Sequence, residues 1–392
     1  MAMTSTFGRM PASTFYLRPA SPVYFPNLNG LRFVAALLVI VNHIELQRLF
    51  YGRPTLIAWP LVQRIGDEGV TLFFVLSGFL ITYLLLLEQE QFGQIAVGRF
   101  YRRRALRIWP LYYAVVALAL LVLPHVALLR TAGYSADIRN LPEQLLLHAL
   151  LLPNVAAVLY GIIPFLSQAW SIGTEEQFYL LWPWVLRRAG GRVLPVVAGV
   201  FLLLLGGQHG IVAAFHAAQP TPAPWLNFAF NFLAKFRLDC LVLGAVPAIL
   251  LFQRRTVVLR WLMAPAMQWL CLLAVLGLLG WGRRFPLHEE MYASLFAVLI
   301  LNLAAAEKPI ISLEKGWLNY LGKFSYGLYM LHNLALVLVL LQLGPWLDAQ
   351  VGWLRWLLTL LATLGLTVLL AMLSYYGLER PFLRRKRRLG GV

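Results

Sequence analysis

The apolar positions of this 392-residue chain come in long runs. Runs of spanning length begin near Leu31, Gly69, Leu111, Trp170, Val193, Asn231, Trp261, Tyr292, Phe324 and Trp353. A crossing helix needs about 20 such residues, so ten of them would use about half of the chain. A further run, 141–160, is shorter and is broken by Pro153, Asn154 and Gly161. The pattern predicts an all-α polytopic membrane protein of about ten transmembrane helices in one bundle. Residues 141–160 are read as a re-entrant or interfacial piece, tolerated at depth only where protein covers its broken backbone.

Charge supports that count. With ten spans both termini are cytoplasmic. The inside segments then hold 22 basic residues: Arg9 and Arg18, the five arginines of 99–107, Arg187, Arg188, Arg192, Arg254, Arg255, Arg260, Lys308, Lys315, Lys323 and the six of 380–388. The outside loops hold seven: Arg48, Arg53, Arg64, Arg130, Arg139, Arg283 and Arg284. That asymmetry is what the positive-inside rule favours, and it largely disappears if 141–160 crosses. It also accounts for a net charge of +17, which in a soluble chain would suggest nucleic acid.

Composition narrows the class. The chain is 60% apolar and 12% charged, with a mean hydropathy of +0.72. Soluble domains run at about 45–50% and about 25%. A cytosolic enzyme, a disordered chain, a nucleic-acid binder and a secreted disulfide scaffold are excluded as first readings. Cys240 and Cys271 lie in apolar runs and form no framework or metal pattern. The polar start of the chain carries no cleavable signal, and the first apolar run reads as a signal anchor. Residues 1–27 form a cytoplasmic tail, 28–382 a single membrane domain, and 383–392 a basic cytoplasmic tail whose simplest role is a surface anchor on anionic lipid.

Ionisable groups inside spans are expensive and are candidates for function. The first span carries Arg32 and His43. Eleven residues are three helical turns plus about 20°, so both lie on one face about 16 Å apart, with Asn27 or Asn29 as a cap. Taken singly, Arg32 is a snorkelling anchor and His43 a packing histidine; the shared stripe is what marks them. RFYRRRALRIWPLYY (99–113) puts Arg104 and Arg107 three apart, where they project together as a phosphate-binding pair or as ordinary cytoplasmic anchors. GVTLFFVLSGFLIT (69–82) places Ser77 and Gly78 mid-membrane, a usual sign of close helix packing. SQAWSIGTEEQFYLLWP (167–183) places Glu175 and Glu176 just inside the outer end of a span. FLAKFRLDCLVLG (232–244) brings Lys235, Arg237 and Asp239 in from the outside, where they can pair with those carboxylates. In GKFSYGLYMLHNL (322–334), His332 reads as a structural hydrogen-bonding residue.

Together LNGLRFVAALLVIVNHIE (28–45), the Ser-Gly segment, RRRALRIWPLYY, AWSIGTEEQFYLLWP, KFRLDCLVLG and KFSYGLYMLH resemble, in order, the acyltransferase-3 family of integral membrane acyltransferases. The resemblance runs from residue 28 to about 382. It implies a membrane acyltransferase domain that moves an acyl group, usually acetyl, from cytoplasmic acyl-coenzyme A to a hydroxyl of an envelope or exported glycan. The family's Arg, ten residues, His motif falls on Arg32 and His43, its paired arginines on Arg104 and Arg107, its acidic position on Glu175, and its Ser-Gly on Ser77 and Gly78. Some relatives carry an extracytoplasmic hydrolase-like domain at the C-terminus. None is expected here, so transfer would finish within the core or on a separate protein. A bacterial inner (plasma) membrane is implied.

The expected mechanism joins these readings. Arg32, Arg104 and Arg107 hold the phosphates of acetyl-coenzyme A, a donor substrate and not a resident cofactor. The pantetheine arm runs along the Arg32–His43 stripe. His43 acts as general base on the acceptor hydroxyl or carries the acyl group transiently, since an imidazole of ordinary pKa near 6.5 moves protons at neutral pH. Glu175 orients the imidazole, stabilises imidazolium or binds a sugar hydroxyl. Glu175, Glu176, Lys235, Arg237 and Asp239 line the acceptor side. Ser77 and Gly78 allow the acyl chain or a helix to approach. No metal is expected. The same chemistry would serve acylation of a lipid or small natural product. A transporter of a glycan or lipid-linked precursor is the rival class, though no internal repeat supports it.

Overall fold

The computed structural model describes residues 23–127, 129, 140–163, 165–283 and 285–388. Residues 1–22 of the expected N-terminal tail, with Arg9 and Arg18, lie outside the described residues, as do Arg130, Arg139, Arg284 and residues 389–392 of the basic tail.

Among the described residues the structure is helical, with no strand. The elements that position the site are α1 (Leu28–Phe50), α2 (Pro60–Phe92) and α3 (Val97–Ala117), which continues to His125 through a wide turn and a tight one. α4 (Leu141–Ala149) and α5 (Pro153–Tyr160) follow, then α6 (Ala169–Ala189), α7 (Val193–Ala217), α8 (Pro224–Leu233), α9 (Leu238–Phe252), α10 (Thr256–Leu262) and α11 (Pro265–Trp281). The last elements are α12 (His288–Ala305), α13 (Gly316–Lys323), α14 (Ser325–Asp348), α15 (Gly352–Ser374) and α16 (Arg380–Arg388).

Among the described residues, six helical stretches are long and apolar enough to cross a membrane: 28–50, 60–92, 97–125, 169–217, 325–348 and 352–386. A seventh forms if α10 and α11, bent by 52°, count as one. The 49-residue stretch 169–217 would be about 74 Å long if straight, over twice the ~30 Å hydrocarbon core, and it is interrupted at Gly190–Arg192. The runs expected near Asn231 and Tyr292 are helical but shorter, with α9 at 15 residues and α12 at 18. The chain is therefore a multi-pass, all-helical membrane protein.

The lipid-facing helices show themselves by their side chains. On α7, Leu202 is 65% and Leu203 76% exposed. Such continuous apolar exposure is not tolerated in water. On α15 the buried residues are Thr359, Thr363, Thr367 and Ala371, a stripe of small residues four apart that packs on α14.

Residues 141–160 form two short helices of 9 and 8 residues, about 14 and 12 Å long, joined where Leu151 adopts a left-handed conformation. Neither reaches across a ~30 Å core. The break between them is covered: the Tyr112 hydroxyl donates to the His148 carbonyl at 3.1 Å and the Tyr113 hydroxyl to that of Ala149 at 2.9 Å. The sixth apolar run is broken in the same way between α8 and α9, where the Thr174 hydroxyl donates to the Lys235 carbonyl at 2.6 Å.

Two devices fix the inner bundle. α2 and α9 cross with their backbones in contact. A Cβ on Gly78 would overlap the Leu241 carbonyl oxygen, and one on Gly244 the carbonyl of Val75. Gly78 thus serves helix approach and leaves no room for an acyl chain. Gly78→Val is expected to cost at least ~1–3 kcal/mol, because the obstacle is backbone, which cannot yield as a side chain does. A lowered Tm and loss of a monodisperse peak in size-exclusion chromatography would register it. At the C-terminal ends of α1 and α14, Asp348 binds both Arg48, at 3.0 Å, and Arg53.

The expected cap on α1 is absent. Asn27 adopts a left-handed conformation and makes no side-chain bond to its own helix. Its amide instead donates to the Leu303 carbonyl at 2.8 Å and accepts from the Leu313 N–H at 2.7 Å, tying α1 to the end of α12 and to the loop before α13. Asn29 accepts from Arg32 Nη1 at 2.9 Å.

Candidate active site

A cavity of about 320 Å³ opens among α1, α2, α3, α6 and α14. Its polar end carries Arg32, Arg104, Arg107 and Lys386. α1 supplies Arg32 four residues past its start, and α3 supplies Arg104 and Arg107 from one face. Arg104 lies over the rings of Phe100 and Tyr179, 5.6 and 5.7 Å from their centroids. Neither Arg104 nor Arg107 has an ion pair or hydrogen bond among the described residues, and Arg104 Nε is buried without a partner. Arg103, on another face of the same helix, is already taken by Glu88 at 2.7 Å. The sequence-predicted arginines therefore line one cavity, Arg32 with one hydrogen bond to Asn29 and Arg104 and Arg107 with none among the described residues.

The mouth is partly made by residues 23–25, held by Glu314. That carboxylate accepts from the Tyr24 hydroxyl, from the Asn27 N–H at 2.6 Å and from Asn319 Nδ2 at 2.7 Å. Burial pushes Glu314 upward, but these three hydrogen bonds outweigh it and hold the group below its ordinary range.

Glu175 lies in this cavity. It is the only carboxylate among the described lining residues. Tyr179 and Ser77 join it: the Tyr179 hydroxyl is 3.1 Å from Glu175 Oε2 and 2.5 Å from Ser77 Oγ. The expectation groups Glu175 with Glu176, and the structure gives the two different surroundings. Glu175 lies six residues, about 9 Å, along α6 from Ala169. Glu176, next in sequence, faces elsewhere and accepts from Trp109 Nε1 at 3.2 Å.

The rest of the expected acceptor group is also divided. Arg237 is committed to Glu289 at 2.8 Å and to the Thr71 hydroxyl at 3.2 Å, with Asp67 at 3.9 Å. Asp239 is buried and accepts from Gln208 Nε2 at 3.0 Å. Lys235 lies over Trp170, its Nζ 4.8 Å from the ring centroid. The partners Asp67, Thr71, Gln208 and Glu289 are distant in sequence, so spacing gives no sign of them.

At its deep end the cavity is lined by Phe73, Ser171 and Tyr329, with the Ser171 and Tyr329 hydroxyls 2.7 Å apart. One turn beyond Tyr329 is His332, fully buried. It faces His43, which is half-buried and does not itself line the cavity. His332 Nε2 and His43 Nδ1 are 2.9 Å apart, with ring centroids at 4.8 Å. His332 Nδ1 is 2.7 Å from the Tyr329 carbonyl oxygen, which can only accept. In the neutral pair the proton of His332 is therefore on Nδ1 and its Nε2 accepts from His43 Nδ1–H. The lone pair of His43 is left on Nε2, the form a base or nucleophile requires. Asp67 and Lys235 lie within electrostatic range of this ring. Sequence alone marks His332 only as a structural residue. Its position in the late KFSYGLYMLH segment is visible there, but its partner on a helix 289 residues away is not.

The Acyltransferase domain profile of the acyltransferase-3 family matches residues 25–372. Among curated proteins, the chain is 26% identical over 383 residues to the O-acetyltransferase OatA of Staphylococcus aureus strain NCTC 8325 / PS 47, and equally to that of strain COL. In both cases the alignment covers 93% of this chain and 58% of the relative, so the chain spans little more than half the length of these relatives. No solved structure matches the chain. The ordered motifs, the helical membrane fold and a profile match over most of its length agree: the chain belongs to the acyltransferase-3 family of membrane acyltransferases.

Proposed function

We propose that this protein transfers an acetyl group from cytoplasmic acetyl-coenzyme A to a hydroxyl of an envelope or exported glycan. It would do so in the inner membrane of a bacterium, with ten spans and both termini cytoplasmic. The observation that carries the reading is a cavity with an arginine-rich end and an aromatic, hydroxyl-lined end that stops one turn short of the His43–His332 pair. A coenzyme is anionic at one end and carries its thioester at the other, and it matches that polarity. The staphylococcal relatives named O-acetyltransferases support the choice of acyl group.

Arg32, Arg104 and Arg107 bind the phosphates, Arg through bidentate donors. Ser77, Tyr179 and Glu175 lie along the route of the pantetheine arm, which supplies amide groups for them to bind. The thioester then reaches His43. In one route His43 Nε2 takes the proton of the acceptor hydroxyl as its oxygen attacks the thioester carbonyl. The C–S bond breaks, and the thiolate receives that proton and leaves as free coenzyme A. In the other, Nε2 attacks the thioester carbonyl first, the C–S bond breaks and the coenzyme A thiolate leaves; the acceptor hydroxyl then displaces the imidazole, and its proton ends on the thiolate. His332 fixes the tautomer in both.

The test is thiol release from acetyl-coenzyme A by the purified full-length protein with an envelope-glycan extract as acceptor. Acceptor-dependent release is expected. A transporter would bind the extract and release no thiol, and that outcome would overturn the reading.

A further inference from the structure

We infer that Lys386, brought back to the cavity by the C-terminal helix, is a fourth phosphate-binding cation of the donor site, so that α16 forms one jaw around the coenzyme. The inference rests on acetyl-coenzyme A being the donor. Sequence alone assigns this basic segment to the lipid surface.

The geometry begins at the end of α15. The helix widens over Tyr375–Glu379, where the Ser374 hydroxyl donates to the buried Glu379 carboxylate at 3.0 Å. The chain then enters α16, which packs on α3, the helix carrying Arg104 and Arg107. Along α16, Arg384 and Arg385 are exposed, whereas Phe382, Leu383 and Lys386 are partly buried. Positions 382, 383 and 386 share one face of a helix, so Lys386 belongs to the packed side and the two arginines to the solvent side.

Lys386 lines the same cavity as Arg32, Arg104 and Arg107. Four cations there face one carboxylate, Glu175. Among the described residues Lys386, like Arg104 and Arg107, makes no ion pair or hydrogen bond. Like charges so close repel one another and are stabilised by a polyanion. A diphosphate together with a phosphomonoester, as in coenzyme A, meets that requirement. A single lipid phosphate does not, and the outward Arg384 and Arg385 are the residues placed to meet one.

The experiment measures binding of coenzyme A and of pantetheine, which lacks the phosphates, to full-length protein in phosphatidylcholine nanodiscs. Lys386→Gln should weaken coenzyme A about tenfold, the loss of one charge-assisted contact, and leave pantetheine unchanged. Arg384→Gln should leave both unchanged. In the thiol-release assay, Lys386→Gln should raise KM for acetyl-coenzyme A with kcat preserved. An unaltered coenzyme A affinity in Lys386→Gln would overturn the inference while leaving the donor assignment intact. Equal weakening of both probes, or a difference seen only when phosphatidylglycerol is added, would also overturn it, in favour of a structural or lipid contact. If the wild type binds no coenzyme A, the donor assignment itself falls.

Discussion

Replacing His43 by alanine is expected to lower kcat for thiol release by about 10²–10⁴-fold, the range supplied by a positioned general base. Coenzyme A binding should persist, because the cavity that holds the phosphates is lined at Arg32 and not at His43. The loss should therefore appear in kcat, with KM for the donor nearly unchanged. His332→Ala should give a smaller loss with the same signature. It leaves the base in place but removes the acceptor that sets the His43 tautomer at 2.9 Å. A purely structural role for His332 would instead lower Tm and the yield of folded protein without a selective fall in kcat. Full activity in His43→Ala, with folding and membrane insertion verified, would remove the imidazole from the chemistry.

The second large effect is expected at the arginine end. Each guanidinium–phosphate interaction contributes roughly 1.5–3 kcal/mol, and each 1.4 kcal/mol is tenfold in affinity. Replacing Arg104 and Arg107 together by alanine should raise KM for acetyl-coenzyme A by about 10²–10⁴-fold. The double lysine variant should recover part of this, since charge returns without the bidentate fork. Arg102→Ala is the matched control, on the same helix but exposed. Acetyl-pantetheine turnover separates the two ends of the site: it should survive the arginine variants and fail in His43→Ala. Equal loss of both donors in Arg104→Ala/Arg107→Ala would identify a folding defect.

Much of this protein is determined by local sequence. Bilayer thickness converts apolar run length directly into helices, because backbone groups in lipid must bond within their own segment. That rule makes the membrane class, the helices of 28–50 and 325–348, and the broken nature of 141–160 legible in the amino-acid sequence alone. Helical spacing likewise pairs Arg104 with Arg107, and charged residues in an apolar setting mark Arg32, His43 and Glu175. What sequence cannot decide is which marked residues meet. The position of Glu175 depends on where α6 starts, and this sets it in the cavity with Tyr179 and Ser77, apart from Glu176. Arg237 and Asp239 are answered by Glu289 and Gln208, partners from other helices, so they spend their charge on the fold. His332 becomes the partner of His43, and Lys386 turns from the lipid surface to the cavity, only through the packing of helices far apart in sequence. Periodicity fixes which face of a helix a residue occupies. The crossing of helices, set by contacts such as Gly78 on the Leu241 backbone, fixes what that face sees.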